Sequence, residues 1–461
     1  MNKFGSVILA AGAALVFALP VYPQYAEITL AGESGAQTAA RPRVQAGVLT
    51  ASAKPVVIQP SIPSPAALSE SEWDFLSSRG EEKDKDLLEL LLPQVSDWIA
   101  VSPAGKHSAD AQLLKAALQL KLGDYKSGIM SLIRHFYEYP QADSSAAAKQ
   151  LFTETVDKKA GKEIRPVLSE LAAAHETGET SVRLAMMLQK VCSRAGEFLY
   201  EPVQAEYRDF FRRFPDRPGN DMLRLALADL HRGNRDYLPA KIAYEKMIQL
   251  HPASPLLPVA KSSLGKVLAD NLKEYGKAIE VYRDITVSFP GNDQAWVAYT
   301  RLPALAERTR QYELSVRIYE QIIELYPDRS EAYDSYNSEA RVLRKKLGKS
   351  ADAVEVLIRL ADRYKDRKEK ALKALLLAAE IYRKDLKDAA GEVKMYDRIA
   401  GDYPSDAQAP KALYAAAQIY FKQKDTEKAG LYYRKLLTGY PENPLSAKAQ
   451  KKLAAIITGK N

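Results

Sequence analysis

A single cysteine, Cys192, stands among 461 residues, so no disulfide within the chain can staple the fold and burial alone must hold it. Cys192 lies in the apolar stretch MLQKVCSRAG, where a free cysteine behaves as a small buried hydrophobe, and no histidine or acid beside it would favour a thiolate. The few histidines, His107, His135, His175, His231 and His251, are scattered. No His-Glu-x-x-His pair sets two ligands on one helix face for zinc. A glycine-rich phosphate loop and a Gly-x-Ser-x-Gly elbow are both missing, and carboxylate pairs such as Glu81-Glu82 fall in polar stretches. No catalytic, cofactor-binding or metal-ligating residue is assigned, and the chain reads as a non-enzyme.

Long apolar runs are missing too, with one exception. Val7 to Leu19 follows a lone Lys3 and is ended by Pro20; it is shorter than the roughly 20 residues of a membrane-spanning helix and fits the core of a signal peptide. Residues 1–26 are expected to direct export, as a signal peptide or as an N-terminal anchor that tethers the chain to a membrane facing the periplasm. Nucleic acid is then disfavoured as a partner. Residues 27–68 hold Pro42, Pro55, Pro60, Pro63 and Pro65 and no aromatic residue, so they bury too little surface to offset the entropy of ordering and are expected to form a disordered Pro/Ala-rich tether. Structure is expected from SESEW, where Ser69 and Glu72 have capping-box spacing, with 69–103 forming N-terminal capping helices.

What the chain has in plenty is tyrosine and proline, 26 and 25 residues against 11 Phe and 3 Trp. Both recur at related places: YRDITVSFPG from Tyr282, YEQIIELYPD from Tyr319, YDRIAGDYPS from Tyr396 and YRKLLTGYPE from Tyr433. Alignment on the residue after the last aromatic gives Pro140, Pro215, Pro252, Pro290, Pro327, Lys365, Pro404 and Pro441, at intervals of 37 to 39 residues beyond a first gap of two units. Such a period marks an array of helical hairpins. Eight residues before each closing position stands Leu132, Tyr207, Tyr244, Tyr282, Tyr319, Leu357, Tyr396 or Tyr433, and twelve before it is usually a small residue such as Gly128, Ala240, Ala278, Ser315, Ala353 or Ala429. A spacing of four puts the small and large residues on one face, and proline then stops the helix. Ahead of each such helix runs another, with Leu375, Ala378, Ala379 and Tyr382 in one unit and Leu413, Ala416, Ala417 and Tyr420 in the next.

These residues together resemble the tetratricopeptide repeat. The resemblance runs from about Ala104 to Pro441; it is degenerate over 104–215, where Pro166 interrupts a would-be helix, and regular over 216–441. It implies an all-α, right-handed superhelical solenoid of antiparallel helix pairs, about nine units of 37–39 residues, closed by a capping helix over 442–461. Long units, an export signal and the closing Tyr-Pro resemble the bacterial envelope branch of the family, which includes an outer-membrane assembly lipoprotein and a periplasmic protein working with the Tol-Pal system. The chain departs from them in its unit count and in lacking a lipoprotein cysteine.

The resemblance implies a non-catalytic scaffold that binds protein or peptide partners of the envelope on the concave surface lined by the first helices. There it would present Asn337, Arg341 and Arg344, then Lys373 and Arg383, then Lys411, Tyr414 and Phe421. Basic heads beside aromatic faces suit an acidic or extended peptide. Charge suggests a second reading. From Arg341 onward there are 27 basic and 15 acidic residues, so the basic C-terminal units could bind an anionic cell-wall polymer or polysaccharide.

Overall fold

The computed structural model describes residues 70–173 and 177–458. The signal or anchor over 1–26, the tether over 27–68 and the Ser69 cap lie outside the described residues. Within them the chain forms 21 α-helices and no strand, and the helices pair off in chain order: α1 Glu70–Ser78 with α2 Lys85–Val101, α3 Ser108–Lys121 with α4 Tyr125–Glu138, α5 Ser145–Lys159 with α6 Arg165–Ala173, and α7 Thr180–Ala195 with α8 Tyr200–Arg213. Then come α9 Asn220–Gly233 with α10 Tyr237–Leu250, α11 Leu257–Lys266 with α12 Tyr275–Ser288, and α13 Asp293–Arg308 with α14 Tyr312–Leu325. The array ends with α15 Ser330–Lys345 and α16 Ser350–Arg363, α17 Lys368–Ile381 and α18 Ala389–Asp402, α19 Gln408–Lys422 and α20 Thr426–Gly439, and a last single helix, α21 Pro444–Ile457. Most helices pack mainly on their chain neighbours, the contact pattern of a helical repeat solenoid.

The second helix is the constant part. α4, α8, α10, α12, α14, α16, α18 and α20 each have 14 residues, and each stops two residues before its closing position. The cause is local. A residue that precedes proline is pushed out of the helical region, and the seven caps before a closing proline share φ between −126° and −138° with ψ between 50° and 60°. Tyr364, followed by Lys365, relaxes to φ −107° and ψ 29°. Ser102 before Pro103 shows φ −127° and ψ 62°, so α1 and α2 close as a repeat does and make a tenth pair beyond the nine expected.

Extra residues go into the first helices. A π-helical turn, Val267–Leu272, extends α11, and another, Tyr382–Leu386, extends α17; π turns absorb inserted residues without breaking a helix. The α5–α6 pair is the irregular one: Pro166 falls in the first turn of α6, where its missing N–H costs nothing.

The small-large face forms the core. Ala240, Ala278, Ser315, Ala353 and Ala429 are fully buried, as are Leu132, Tyr207, Tyr244, Leu357 and Tyr433, with Tyr282 nearly so. Closeness is visible at Gly265 on α11, where a Cβ would stand 2.8 Å from the Tyr282 ring. At two of these positions tyrosine does more than phenylalanine could. The Tyr244 hydroxyl donates to Asp229 at 2.5 Å and Tyr319 to Glu307 at 3.1 Å, tying second helix to first. Closing tyrosines tie unit to unit: Tyr139, Tyr403 and Tyr440 donate to the carbonyls of Pro103, Lys365 and Pro404 at 2.9, 2.9 and 2.7 Å, each the preceding closing residue. On α21, Leu445, Leu453 and Ile456 pack against the last pair and Ala449 is fully buried.

Candidate partner-binding surface

First helices touch one another across units, as α7 with α9, α11 with α13 and α19 with α21, so theirs is the crowded side of the array. The eight candidate residues divide by what their heads meet. Arg341 on α15 donates to both oxygens of Glu307 at 2.8 and 3.0 Å. Arg344 is nearly buried, 9% exposed, and its guanidinium spans Asp385 and Glu380, the latter at 3.3 Å. Both pairs raise the guanidinium pKa, chiefly through the hydrogen bonds to those carboxylates. These two arginines join units to each other, and the Arg344 head is not offered to a partner. Asn337 donates back to the Tyr333 carbonyl at 2.8 Å, and Arg383 lies 3.9 Å from Glu392.

Lys373 on α17 and Lys411 on α19 are exposed, and neither lies in an ion pair among the described residues. Beside Lys373, Leu376 is 36% exposed; beside Lys411, Tyr414 is half-buried with its ring 6.0 Å from that of Tyr433. Phe421 is half-buried under Lys452, whose Nζ stands 4.8 Å from the ring centre. The face left open thus carries two ammonium heads, an aliphatic side chain and a tyrosine edge. Leu376 escaped the sequence reading because the run from Ala374 to Ala379 is wholly apolar and only packing separates the open residue from the buried ones.

A cavity of about 740 Å³ between the loops after α8 and α10 holds Asp221, Arg224, His251 and Ser254. Burial pushes the His251 imidazole below its usual range, with Arg224 adding to the effect. A serine, a histidine and an acid in one cavity invite a catalytic reading, but the Ser254 hydroxyl donates to Asp221 at 2.5 Å, and His251 Nε2 is buried without a hydrogen-bond partner. No nucleophile–base pair is assembled. Cys192 is half-buried and its thiol is pushed up by burial, the inert setting for a cysteine.

The family model of the tetratricopeptide repeat matches residues 373–406 and 411–443, which are the α17–α18 and α19–α20 pairs. No curated protein matches the sequence. Among solved structures, the chain is similar to a tetratricopeptide repeat protein from Parabacteroides merdae, at 14% identity and a TM-score of 0.31 over 61% of this chain and all of that one. It is also similar to PilW, described as a widely conserved type IV pilus biogenesis factor, at 16% identity and a TM-score of 0.26 over 51% of this chain and all of that one. The P58(IPK) tetratricopeptide domain follows at 14% identity and a TM-score of 0.22, covering 82% of this chain and 98% of that one. No catalytic family is indicated.

Proposed function

We propose that this protein is an exported, non-catalytic scaffold of the bacterial cell envelope, holding an acidic or extended peptide of a partner protein against the first helices of its last units. The observation that carries the reading is the open pair Lys373 and Lys411, exposed one unit apart beside Leu376 and Tyr414 while neighbouring basic heads are occupied. Two unpaired ammonium heads draw acidic side chains, and apolar surface between them takes the intervening residues. The tetratricopeptide match falls on these same two pairs. The envelope setting rests on the sequence of residues 1–26.

Photo-crosslinking residues placed at Lys373 and Lys411, with Lys394 on α18 as a control, test the surface in living cells. Crosslinks to a shared protein from 373 and 411, lost in Lys373→Glu/Lys411→Glu, are expected. Crosslinks from 394 alone would overturn the reading. Residues 1–26 fused to a leaderless alkaline phosphatase should yield active enzyme; an inactive, cytoplasmic fusion would remove the envelope setting while leaving the peptide face standing.

A further inference from the structure

Seven turns that lead from a first helix into its second contain a residue with positive φ, directly before the cap of the second helix. Glycine fills two of them, Gly123 at φ 87° and Gly348 at φ 68°. The other five are Arg235 at φ 62°, Lys273 at 60°, Arg310 at 60°, Lys387 at 56° and Lys424 at 66°, and they account for every positive-φ residue other than glycine among the described residues. A left-handed backbone sets a Cβ against the following carbonyl; glycine escapes this, asparagine and aspartate tolerate it, and lysine or arginine gains nothing there. A cation near a helix C-terminus does favour the helix dipole, but any position in the last turn gives that without the left-handed cost. Backbone strain repeated unit after unit with one charge type points to a use for the charge.

The surroundings support this. All five side chains are exposed. At four of the five turns the next residue is an acid engaged by the protein itself: Asp236 accepts from the Tyr200 hydroxyl at 2.9 Å, and Glu274 is held by Lys241 at 2.9 Å and Lys277 at 2.7 Å. Asp388 accepts from the Ala390 and Gly391 amides at 3.0 Å, and Asp425 accepts from the Lys428 amide at 3.0 Å. Arg235, Arg310, Lys387 and Lys424 have no ion pair among the described residues, and Lys273 bonds only the Asp270 carbonyl. Consecutive turns are joined, for Lys241 reaches Glu274 and Arg308 donates to the Tyr275 hydroxyl at 2.7 Å. The nearby rings of Tyr237, Tyr275 and Tyr312 pack against the core, so the edge offers charge and no stacking platform of the kind that holds single-stranded nucleic acid.

We propose that these turns form a ladder of cations that docks a linear polyanion, a polymer carrying carboxylates or phosphates along its length, on the edge where first helices pass into second. The turns and the first-helix face are different parts of each unit, so this inference stands apart from the peptide reading. Two of the five, Lys387 and Lys424, lie within the basic stretch from Arg341 onward. The full chain is titrated with polygalacturonate, with linear polyphosphate and with single-stranded oligothymidylate at rising salt. Binding to one of the first two is expected, weakening steeply as salt rises. Arg235→Gly/Lys273→Gly/Arg310→Gly/Lys387→Gly/Lys424→Gly removes the charge and relieves the backbone together, so it should bind at least tenfold more weakly and melt no lower than the wild type. Exchanging Lys and Arg at the same five positions should preserve binding. Unchanged affinity in the glycine variant, absence of binding to both polymers, or tighter binding to oligothymidylate would overturn the proposal, and a lower melting temperature would overturn the strain argument beneath it.

Discussion

Arg134 on α4 is 4% exposed and meets three carboxylates: Glu138 at 2.6 Å, Glu206 at 2.9 Å and Asp209 at 2.8 Å. Arg213 on α8 completes the group, 2.6 Å from Glu138 and 3.6 Å from Asp209. Burial alone would raise the Asp209 carboxyl, but Arg134 first and the neighbouring arginines after it hold it below its usual range. Arg134→Met keeps the stem and removes the charge, leaving the three carboxylates to Arg213 and to the exposed head of Arg212, which meets Asp209 at 2.6 Å. Breaking a buried ionic cluster on one side costs about 3–5 kcal/mol. Because stability in an array is a sum of unit and neighbour terms, the loss should stay local: amides of α4 and α8 should exchange roughly 10²–10⁴-fold faster at pH 7, and those of α15 to α20 should not change. The pH dependence has a definite sign. In the wild type a carboxyl with a lowered folded pKa contributes stability above its unfolded pKa and loses it as pH falls through the folded value; in the variant, burial without Arg134 raises the folded carboxyl pKa values, so the penalty is full at neutral pH and fades on acidification. The gap between the two melting temperatures should therefore shrink from pH 7.5 to pH 4.5. Unchanged exchange in α4 and α8, or a gap as wide at pH 4.5, would refute the reasoning.

Glu339 on α15 is 1% exposed, and burial pushes its carboxyl up to about 7 against the pull of Arg359. The folded state thus holds a proton that the unfolded state releases near 4.5, so stability falls as pH rises through that window; Glu339→Gln should flatten the fall and be more stable at pH 8 by on the order of 1–3 kcal/mol, and thermal melts from pH 5 to 8 with parallel curves would exclude this. Ala278→Leu overpacks a fully buried crossing and should cost about 1–3 kcal/mol in urea unfolding. Gly265→Ala should act in the same direction through the Tyr282 ring; wild-type midpoints for both would displace the register. Tyr403→Phe and Tyr440→Phe each remove one tie between closing residues and should cost about 0.5–1 kcal/mol, measurable as faster exchange at the affected unit boundary and absent if the hydroxyls prefer water.

The repeat was legible because its punctuation is local. A proline acts on the residue before it whatever the rest of the fold does, so the end of each second helix can be counted from the sequence alone. Where the same stop lacks its aromatic, as at Ser102-Pro103, the α1–α2 pair was read as a cap. Extra residues could be counted from the intervals but not located, since a loop and a π turn such as Tyr382–Leu386 lengthen a unit alike. The candidate surface was less legible. On a helical projection Arg344 faces outward like Lys373, but its partner Asp385 lies 41 positions on, in the π turn of the next unit, and no spacing rule within a helix reaches that far. Lysines that stay free and arginines that are taken up look the same until both units are in place.

The Arg134 cluster sits where the repeat fails, and the two facts have one cause. In the regular run a 14-residue second helix separates one unit from the next and buries its large residue, tyrosine or leucine. Here α4 meets α7 and α8 directly. The two second helices brought together carry Arg134 and Glu138 on one and Glu206, Asp209 and Arg213 on the other, and ion pairs among these join α4 to α8. Apolar packing could join them at least as stably, but it would not fix which residue faces which. Paired charges with short bonds do fix it, as buried polar groups set register in coiled coils. The irregular pair thus becomes a keyed joint between the first two units and the regular run beyond, with Arg134 at its centre, bonded to three carboxylates.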